Sequence, residues 1–278
     1  MNATPVIASL QNPRVKEVVK LRNRGDRDAA GLLLIEGYRE VKRALDNNWP
    51  LTVLFHCAEL FLGEQEPPLL ERAAAAGAEL VGCTAPVFRK MAYRDRPEGL
   101  LALAPQVHRT LADLQLPERP LIVIAEAIEK PGNLGTILRS ADAAGVHAVI
   151  VCDRCTDINN PNVVRASLGT LFSVPVAEAS SADALAWLHA RGIRVLAASP
   201  HAEREYTDVD LAGGVAIVVG TEQYGLSSFW MQHADLQAKI PMLGQIDSLN
   251  VASAATILLY EAVRQRRAPP PAAPDART

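Results

Sequence analysis

The sequence predicts an α/β protein built from two units, and three observations predict it. Short apolar runs alternate with helical stretches along nearly the whole chain. After residue 120 those runs are apolar throughout, as strands buried on both faces of a parallel sheet are. At 278 residues, 49% of them hydrophobic and 21% charged, the chain is long and apolar enough for two ordinary cores.

The first unit, 1–105, reads as a small α/β layer. GLLLIEG (31–37) forms a strand that leads into a helix near Tyr38. Further strands are expected near 51–56, 79–83 and 100–104, with helices at 67–77 and 84–92 between them. The stretch APQVHRTLADLQLPERP carries three prolines and little periodicity, and its centre, 106–119, is taken as a linker. The second unit, 120–267, has strands near 121–126, 147–152, 172–176, 193–198, 215–219 and 236–240. Helices near 134–145, 182–191 and 248–266 separate them, which implies a mostly parallel sheet covered on both faces. The closing APPPAAPDART (268–278) is Pro-rich and expected to be disordered.

A net charge of −3 and a pI near 6.1 exclude a chain that binds polyanions over its whole surface, but leave room for a local basic patch. Residues 1–45 hold nine Lys and Arg against five acids, bunched from Arg14 to Arg27, so Arg14, Lys16 and Arg22 are candidate phosphate contacts. In VFRKMAYRDRPEG (87–99), Arg89, Lys90, Arg94 and Arg96 interleave with Phe88 and Tyr93. That mixture suits RNA, with cations on phosphates and rings on bases, and equally a surface loop with a tucked aromatic.

Nothing at the N-terminus pairs basic residues with an apolar core and a cleavage site, so a cytoplasmic chain with reduced thiols is expected. Cys152 and Cys155 form a CxxC, which raises a thioredoxin-like or metal-binding role. With no second pair to complete four ligands, and a strand end as the location, no metal site is expected. No apolar run approaches the length that spans a membrane.

Three loops stand where the carboxyl ends of parallel strands present ligands. In EAIEKPGNLGTILRSADAAG (126–145), Gly132, Asn133 and Gly135 precede a helix carrying Arg139. In IVVGTEQYGLS (217–227), a buried strand ends at Gly220 with Glu222 two residues on, a carboxylate that either holds a loop or faces a cation. In IPMLGQIDSLNVASAATILLYEAVRQR (240–266), Ser248 and Asn250 stand where a helix begins, and can cap it. A GxGxxG directly after the strand is absent, which argues against a nicotinamide-dependent oxidoreductase.

In this order and at these spacings, NLGTILRSA, VVGTEQYGLS and IPMLGQIDSLNVASAATILLYE match the three motifs of the SpoU (TrmH-like) family within the SPOUT class, RNA 2′-O-ribose methyltransferases, which the chain resembles over roughly 120–267. NPRVKEVVKLRNRGDRDAAGLLLIEGYREV (12–41) resembles, more loosely, the L30e-like substrate-binding domain of rRNA-modifying members. The resemblance implies a trefoil knot around 240–250 and S-adenosylmethionine held by backbone around Gly220, Ile240, Met242 and Leu249. It also implies a homodimer through the C-terminal domain and an rRNA substrate. Asn133, Arg139, Glu222, Ser248 and Asn250 match the family's functional polar positions, and Arg165 matches an arginine associated with RNA or the dimer partner. The alternative it leaves is an RNA-binding ribosome-assembly protein with an inactive methyltransferase domain.

Overall fold

The computed structural model describes residues 6–221 and 224–267. In chain order the first lobe contains β1 (Val6–Ile7), α1 (Pro13–Lys20), α2 (Arg24–Ala30), β2 (Leu32–Glu36), α3 (Tyr38–Asp46), β3 (Val53–His56), α4 (Glu66–Ala75), β4 (Glu79–Cys83), α5 (Ala85–Met91) and β5 (Leu100–Pro105). Its sheet has the order β1-β4-β3-β5-β2. β4 runs parallel to β1 and β3, and β5 runs antiparallel to β3 and β2. The two-residue β1 was not legible as a strand, because so short a run carries no periodicity.

The second lobe contains β6 (Leu121–Glu126), α6 (Pro131–Ala143), β7 (Ala148–Cys152), α7 (Pro161–Ala166), β8 (Val176–Ala179), α8 (Ser181–His189), β9 (Arg194–Ala198), β10 (Val215–Val219), α9 (Ser228–His233), β11 (Leu236–Ala238) and α10 (Val251–Arg267). Its strands lie in the order β11-β9-β10-β6-β7-β8, every described pairing parallel. The expected architecture is therefore present. β6, β7 and β10 are buried at every residue, which is why they read as continuous apolar runs rather than alternating ones.

Alternate residues of β6 enter different cores. Leu121, Val123 and Ala125 pack with Leu134, Ile137 and Leu138 of α6 and Ala255, Leu258 and Leu259 of α10. Ile122 and Ile124 face the opposite layer, where Ala184, Leu185 and Leu188 of α8 and Trp230 of α9 cover the sheet. The first of these cores does not stop at the lobe boundary. It continues through Val163 and Val164 of α7 to Leu33 and Ile35 of β2 and Val41 and Ala44 of α3.

The junction is also pinned by polar groups. Arg27 and Asp157, 1% and 6% exposed, form an ion pair at 2.6 Å. Asn159 accepts the Val107 N–H at 2.8 Å and donates back to its carbonyl at 3.2 Å, and Asn162 donates to the Tyr93 hydroxyl at 3.0 Å. The stretch 106–119 is accordingly not a free tether. It contains a turn of 3₁₀ helix, Leu111–Asp113, closed by a Thr110/Asp113 capping box, and Arg109 accepts the Glu178 N–H beside β8.

Two sequence expectations shift. The strand expected at 172–176 begins at Val176, after a 3₁₀ turn at Thr170–Phe172. The hydroxyls of Ser167, Thr170 and Ser173 bond back to carbonyls three residues earlier, offering this apolar stretch a local alternative to strand pairing. The last helix begins at Val251 rather than 248. The tail expected to be disordered, 268–278, lies outside the described residues.

Candidate active site at the switch point of the parallel sheet

The chain leaves β6 outward to β7 and β8, then returns to the other side of β6 for β9, β10 and β11. β6 and β10 are neighbours, with Ala125 opposite Val219, so the next residues, Glu126 and Gly220, lie together at the carboxyl edge where the strand order reverses. In open parallel sheets that crevice is where ligands bind.

Three segments converge there. Gly220 is bare for a steric reason: a Cβ on it would lie 2.4 Å from the Gly225 carbonyl oxygen, because the chain turns back to bring Gly225 and Leu226 against it. Glu126, 4% exposed, accepts the Ser227 N–H at 2.9 Å and so holds the far end of that turn to the centre of the sheet. Glu222, which the sequence leaves either holding a loop or facing a cation, lies outside the described residues; Glu126 holds a loop from the adjacent strand end.

α6 and α10 run side by side with their N-termini at the same edge. Asn250 donates to the Asn133 side-chain oxygen at 3.1 Å, and six to seven residues on, Ser140 and Thr256 share a hydroxyl–hydroxyl bond of 2.7 Å. Two bonds at matching intervals fix two parallel helices, whose N-terminal partial charges then add at the crevice. Asn250 also caps α10 by accepting the Ala252 N–H at 3.0 Å. Ser248 is exposed and caps nothing among the described residues, so the capping expected of both falls to Asn250 alone.

Arg139 lies six residues beyond Asn133 on α6, about 9 Å along the axis. Its side chain is exposed and forms no ion pair or hydrogen bond with a described residue. Ile240, Met242 and Leu249 are half-buried along the irregular stretch between β11 and α10, and Leu243 and Ile246 stand out from it, 97% and 60% exposed.

Gly132, Asn133 and Gly135, read from the sequence as preceding the helix, lie within α6, which Pro131 opens. Gly132 faces open space, whereas a Cβ at Gly135 would meet Ala166 Cβ at 2.5 Å and the Val163 carbonyl at 2.8 Å. The close approach that Gly135 permits is that of α7 against α6.

Comparison with known proteins agrees with this arrangement. Residues 120–260 match the model of the SpoU rRNA Methylase family, and 12–102 match an MRM3-like substrate binding domain. A Streptomyces viridochromogenes protein named 23S rRNA (uridine(2479)-2′-O)-methyltransferase is 32% identical over 253 residues, covering 88% of this chain and 87% of its own.

The chain belongs to the SpoU rRNA methylase family.

A second relative, the Bacillus subtilis 23S rRNA (guanosine(2553)-2′-O)-methyltransferase, is 29% identical over 91% of this chain and 97% of its own. The crystal structure of an AdoMet-bound rRNA methyltransferase from Sinorhizobium meliloti superposes with a TM-score of 0.85 at 32% identity, covering 94% of this chain and 98% of that one.

The basic residues singled out from the sequence of this SpoU methylase separate into two groups. Lys16 and Arg165 are exposed. Arg89, Lys90 and Arg96 are exposed as well, whereas Arg14, Arg22 and Arg94 are engaged within the protein. Arg14 forms a bidentate pair with Glu79, and Arg22 donates to the carbonyls of Lys90 and Ala92. Arg94, 14% exposed, bonds Glu40 at 2.5 Å, Glu98 at 2.7 Å and the Glu36 carbonyl at 2.9 Å. Burial pushes the carboxyls of Glu36 and Glu40 above their ordinary range, with the Arg94 charge opposing the shift. Arg94 is therefore a staple inside the first lobe, and the two-way reading of 87–99 resolves toward the structural side for this residue. Arg27, bunched with the candidate phosphate contacts in the sequence, is buried in the junction.

Burial first, then Asp153 and Glu126, push the Cys152 thiol up to about 12, while Cys155 is exposed and unbonded to it. A protonated thiol is a poor nucleophile and metal ligand. Among the described residues no cluster of three His, Cys, Asp or Glu could hold a metal ion.

Replacing Asn250 by alanine removes the cap and the tie to Asn133. It should cost about 1–2 kcal/mol and lower the melting temperature by a few degrees. Ser248→Ala should melt as the wild type does. A Ser248→Ala protein melting as low as Asn250→Ala would refute this assignment of the cap.

Proposed function

We propose that this chain transfers a methyl group from S-adenosylmethionine to a ribose 2′-hydroxyl of ribosomal RNA. The observation that carries the reading is an exposed arginine on α6 with no partner among the described residues, on the same helix as an Asn133–Asn250 pair that closes the switch point of a SpoU-family sheet. Relatives named for uridine and for guanosine fit a site that reads the ribose, which every nucleotide shares, rather than one base.

The residues suit the cofactor. Gly220 ends β10 at the switch point, packed against the Gly225 backbone, and Ile240, Met242 and Leu249 offer half-buried apolar surface along the stretch between β11 and α10. S-adenosylmethionine supplies a methyl group activated by its sulfonium. Methyl transfer makes an O–C bond as the S–C bond breaks, and a proton must leave the hydroxyl. Alignment of the three reacting atoms is the largest contribution available, worth roughly 7–11 kcal/mol when geometry is ideal.

Arg139 is not the base, because a guanidinium stays protonated at any working pH. It pairs instead with the neighbouring phosphate and stabilises the developing alkoxide, the proton passing to phosphate or water. Asn133 and Asn250 orient the nucleotide and Arg139, Ser248 serves as a further polar group of the site, and the role proposed for Glu222 is to hold the knot loops or the arginine in place.

The first lobe, 1–105, receives the RNA, and 120–267 carries the chemistry. The stretch 240–250 threads the knot, with α10 locking it. A homodimer forms through the C-terminal lobe. Leu243, Ile246 and Tyr260, all large, apolar and exposed, support this by falling in its last forty residues. The enzyme acts in the cytoplasm, where its substrate is assembled; no described helix is long and apolar enough to cross a membrane.

Calorimetry with S-adenosylmethionine, followed by transfer of labelled methyl to unmodified rRNA, tests the reading. Binding and transfer are expected. Binding without transfer to any rRNA would instead favour the inactive assembly factor.

A further inference from the structure

Two recesses line the junction between the lobes, away from the Asn133–Asn250 site. One, of about 310 Å³, is bounded by Arg39, Lys42, Arg43 and Asp46 of α3 together with Leu168. The other, of about 410 Å³, is bounded by Arg94, Asp95, Arg96, Arg165 and the same Leu168. Both fall at the small end of the range for small-molecule sites, ~300–1,000 Å³, yet their walls are almost wholly charged where such sites are mostly apolar. A small apolar ligand is the wrong occupant.

The charges do not cancel. Arg94 is balanced by Glu40 and Glu98. Of the remaining wall, five cations face two carboxylates, in a chain whose net charge is −3. Lys42 is paired with Asp46. Arg39, Arg43, Arg96 and Arg165 form no ion pair with a described residue. This excess is hard to see in the sequence, since α3 and α7 are more than a hundred residues apart.

The backbone between the recesses is built to sit close. Leu168, not a glycine, has φ +53°, and Gly169 has φ +80°. A Cβ on Gly169 would lie 3.0 Å from Glu40 Cα, so the turn after α7 rests directly on the backbone of α3. α7 in turn packs on α6 through Gly135. The groove wall that carries Arg165 is thus the immediate neighbour of the helix that carries Arg139, about one helix diameter (~10 Å) away.

We propose that the two recesses form one groove that holds the phosphate backbone of the RNA on Arg39, Lys42, Arg43, Arg96 and Arg165, delivering the strand across the junction to Arg139, and that the basic face of α1 is not the docking surface. This rests on the RNA-methylating reading above and adds the path of its substrate. Fixed lobes suit it, because the groove has one wall from each.

The test is a salt series. Binding of an unmodified 23S rRNA transcript is titrated with the full-length wild type, an Arg39→Gln/Arg43→Gln/Arg165→Gln variant, the same three positions changed to lysine, and a Lys16→Gln/Lys20→Gln variant. Loss of three phosphate contacts should weaken binding at least tenfold near physiological salt and flatten the slope of log K against log salt by about two, roughly 0.7 per contact. The lysine variant should regain the slope, because phosphate is read as charge, and the α1 variant should behave as wild type. A glutamine variant with wild-type affinity and slope, or an α1 variant that loses as much, would overturn the groove. Cofactor binding by each variant reports its fold, and methyl transfer by the wild type is scored separately, so failure of the enzymatic reading shows in the wild type alone.

Discussion

An Arg139→Lys enzyme is expected to retain its fold and its affinity for S-adenosylmethionine and to lose about 10²–10³-fold in turnover. That is the scale seen when one donor to a developing oxyanion is removed. The guanidinium stands exposed on α6 with no partner among the described residues, so their packing does not depend on it. Lysine keeps the charge but not the planar fork that can hold a phosphate and a developing alkoxide together. Single-turnover rates at saturating cofactor, with the melting temperature as control, separate chemistry from folding. Turnover close to wild type would mean that charge alone suffices and that the bidentate role is wrong.

Breaking the Arg27–Asp157 pair is expected to be the most damaging single change to stability. Arg27 donates to Asp157 at 2.6 Å and to the carbonyls of Leu21 and Arg22 at 3.0 and 2.9 Å, with almost no exposure. Arg27→Met leaves Asp157 charged and buried at the junction, a situation that costs about 3–5 kcal/mol. At this chain length that lowers the melting temperature by roughly 10 °C. Because the loss comes mainly from the orphaned charge, Arg27→Met/Asp157→Leu should recover much of it. A single variant that melts within about a degree of wild type would show that the junction does not rely on the pair. Recovery of stability without recovery of rRNA methylation would further show that the pair sets the angle between the lobes.

Much of this was legible in the sequence, for physical reasons that also mark where legibility ends. Central strands announce themselves when both faces are buried, and β6, β7 and β10 did. The three loops were legible because glycine and asparagine at the carboxyl ends of such strands have few other uses. The pairing of Asn133 with Asn250 across 117 residues was reachable only through the family resemblance. What stayed hidden was the fate of each cation. Arg14, Arg22, Arg27 and Arg94 look in the sequence like Lys16 or Arg39, yet the first four are spent on Glu79, on backbone carbonyls, on Asp157 and on Glu40. Local spacing cannot foretell a partner 130 residues away. Short elements such as β1, α7 and the turn at Thr170–Phe172 were also hidden. Their conformation is decided by neighbours and by hydroxyl-to-backbone bonds rather than by periodicity.

The central claim is that the acceptor is a ribose oxygen. The most direct measurement is to label unmodified 23S rRNA with the purified enzyme and methyl-labelled S-adenosylmethionine, digest it to nucleosides, and identify the labelled product by mass spectrometry and by the resistance of its phosphodiester to alkali. Label confined to a 2′-O-methylated nucleoside, and absent with Arg139→Ala, is the predicted result. Label on a base, or undiminished with Arg139→Ala, would contradict the account.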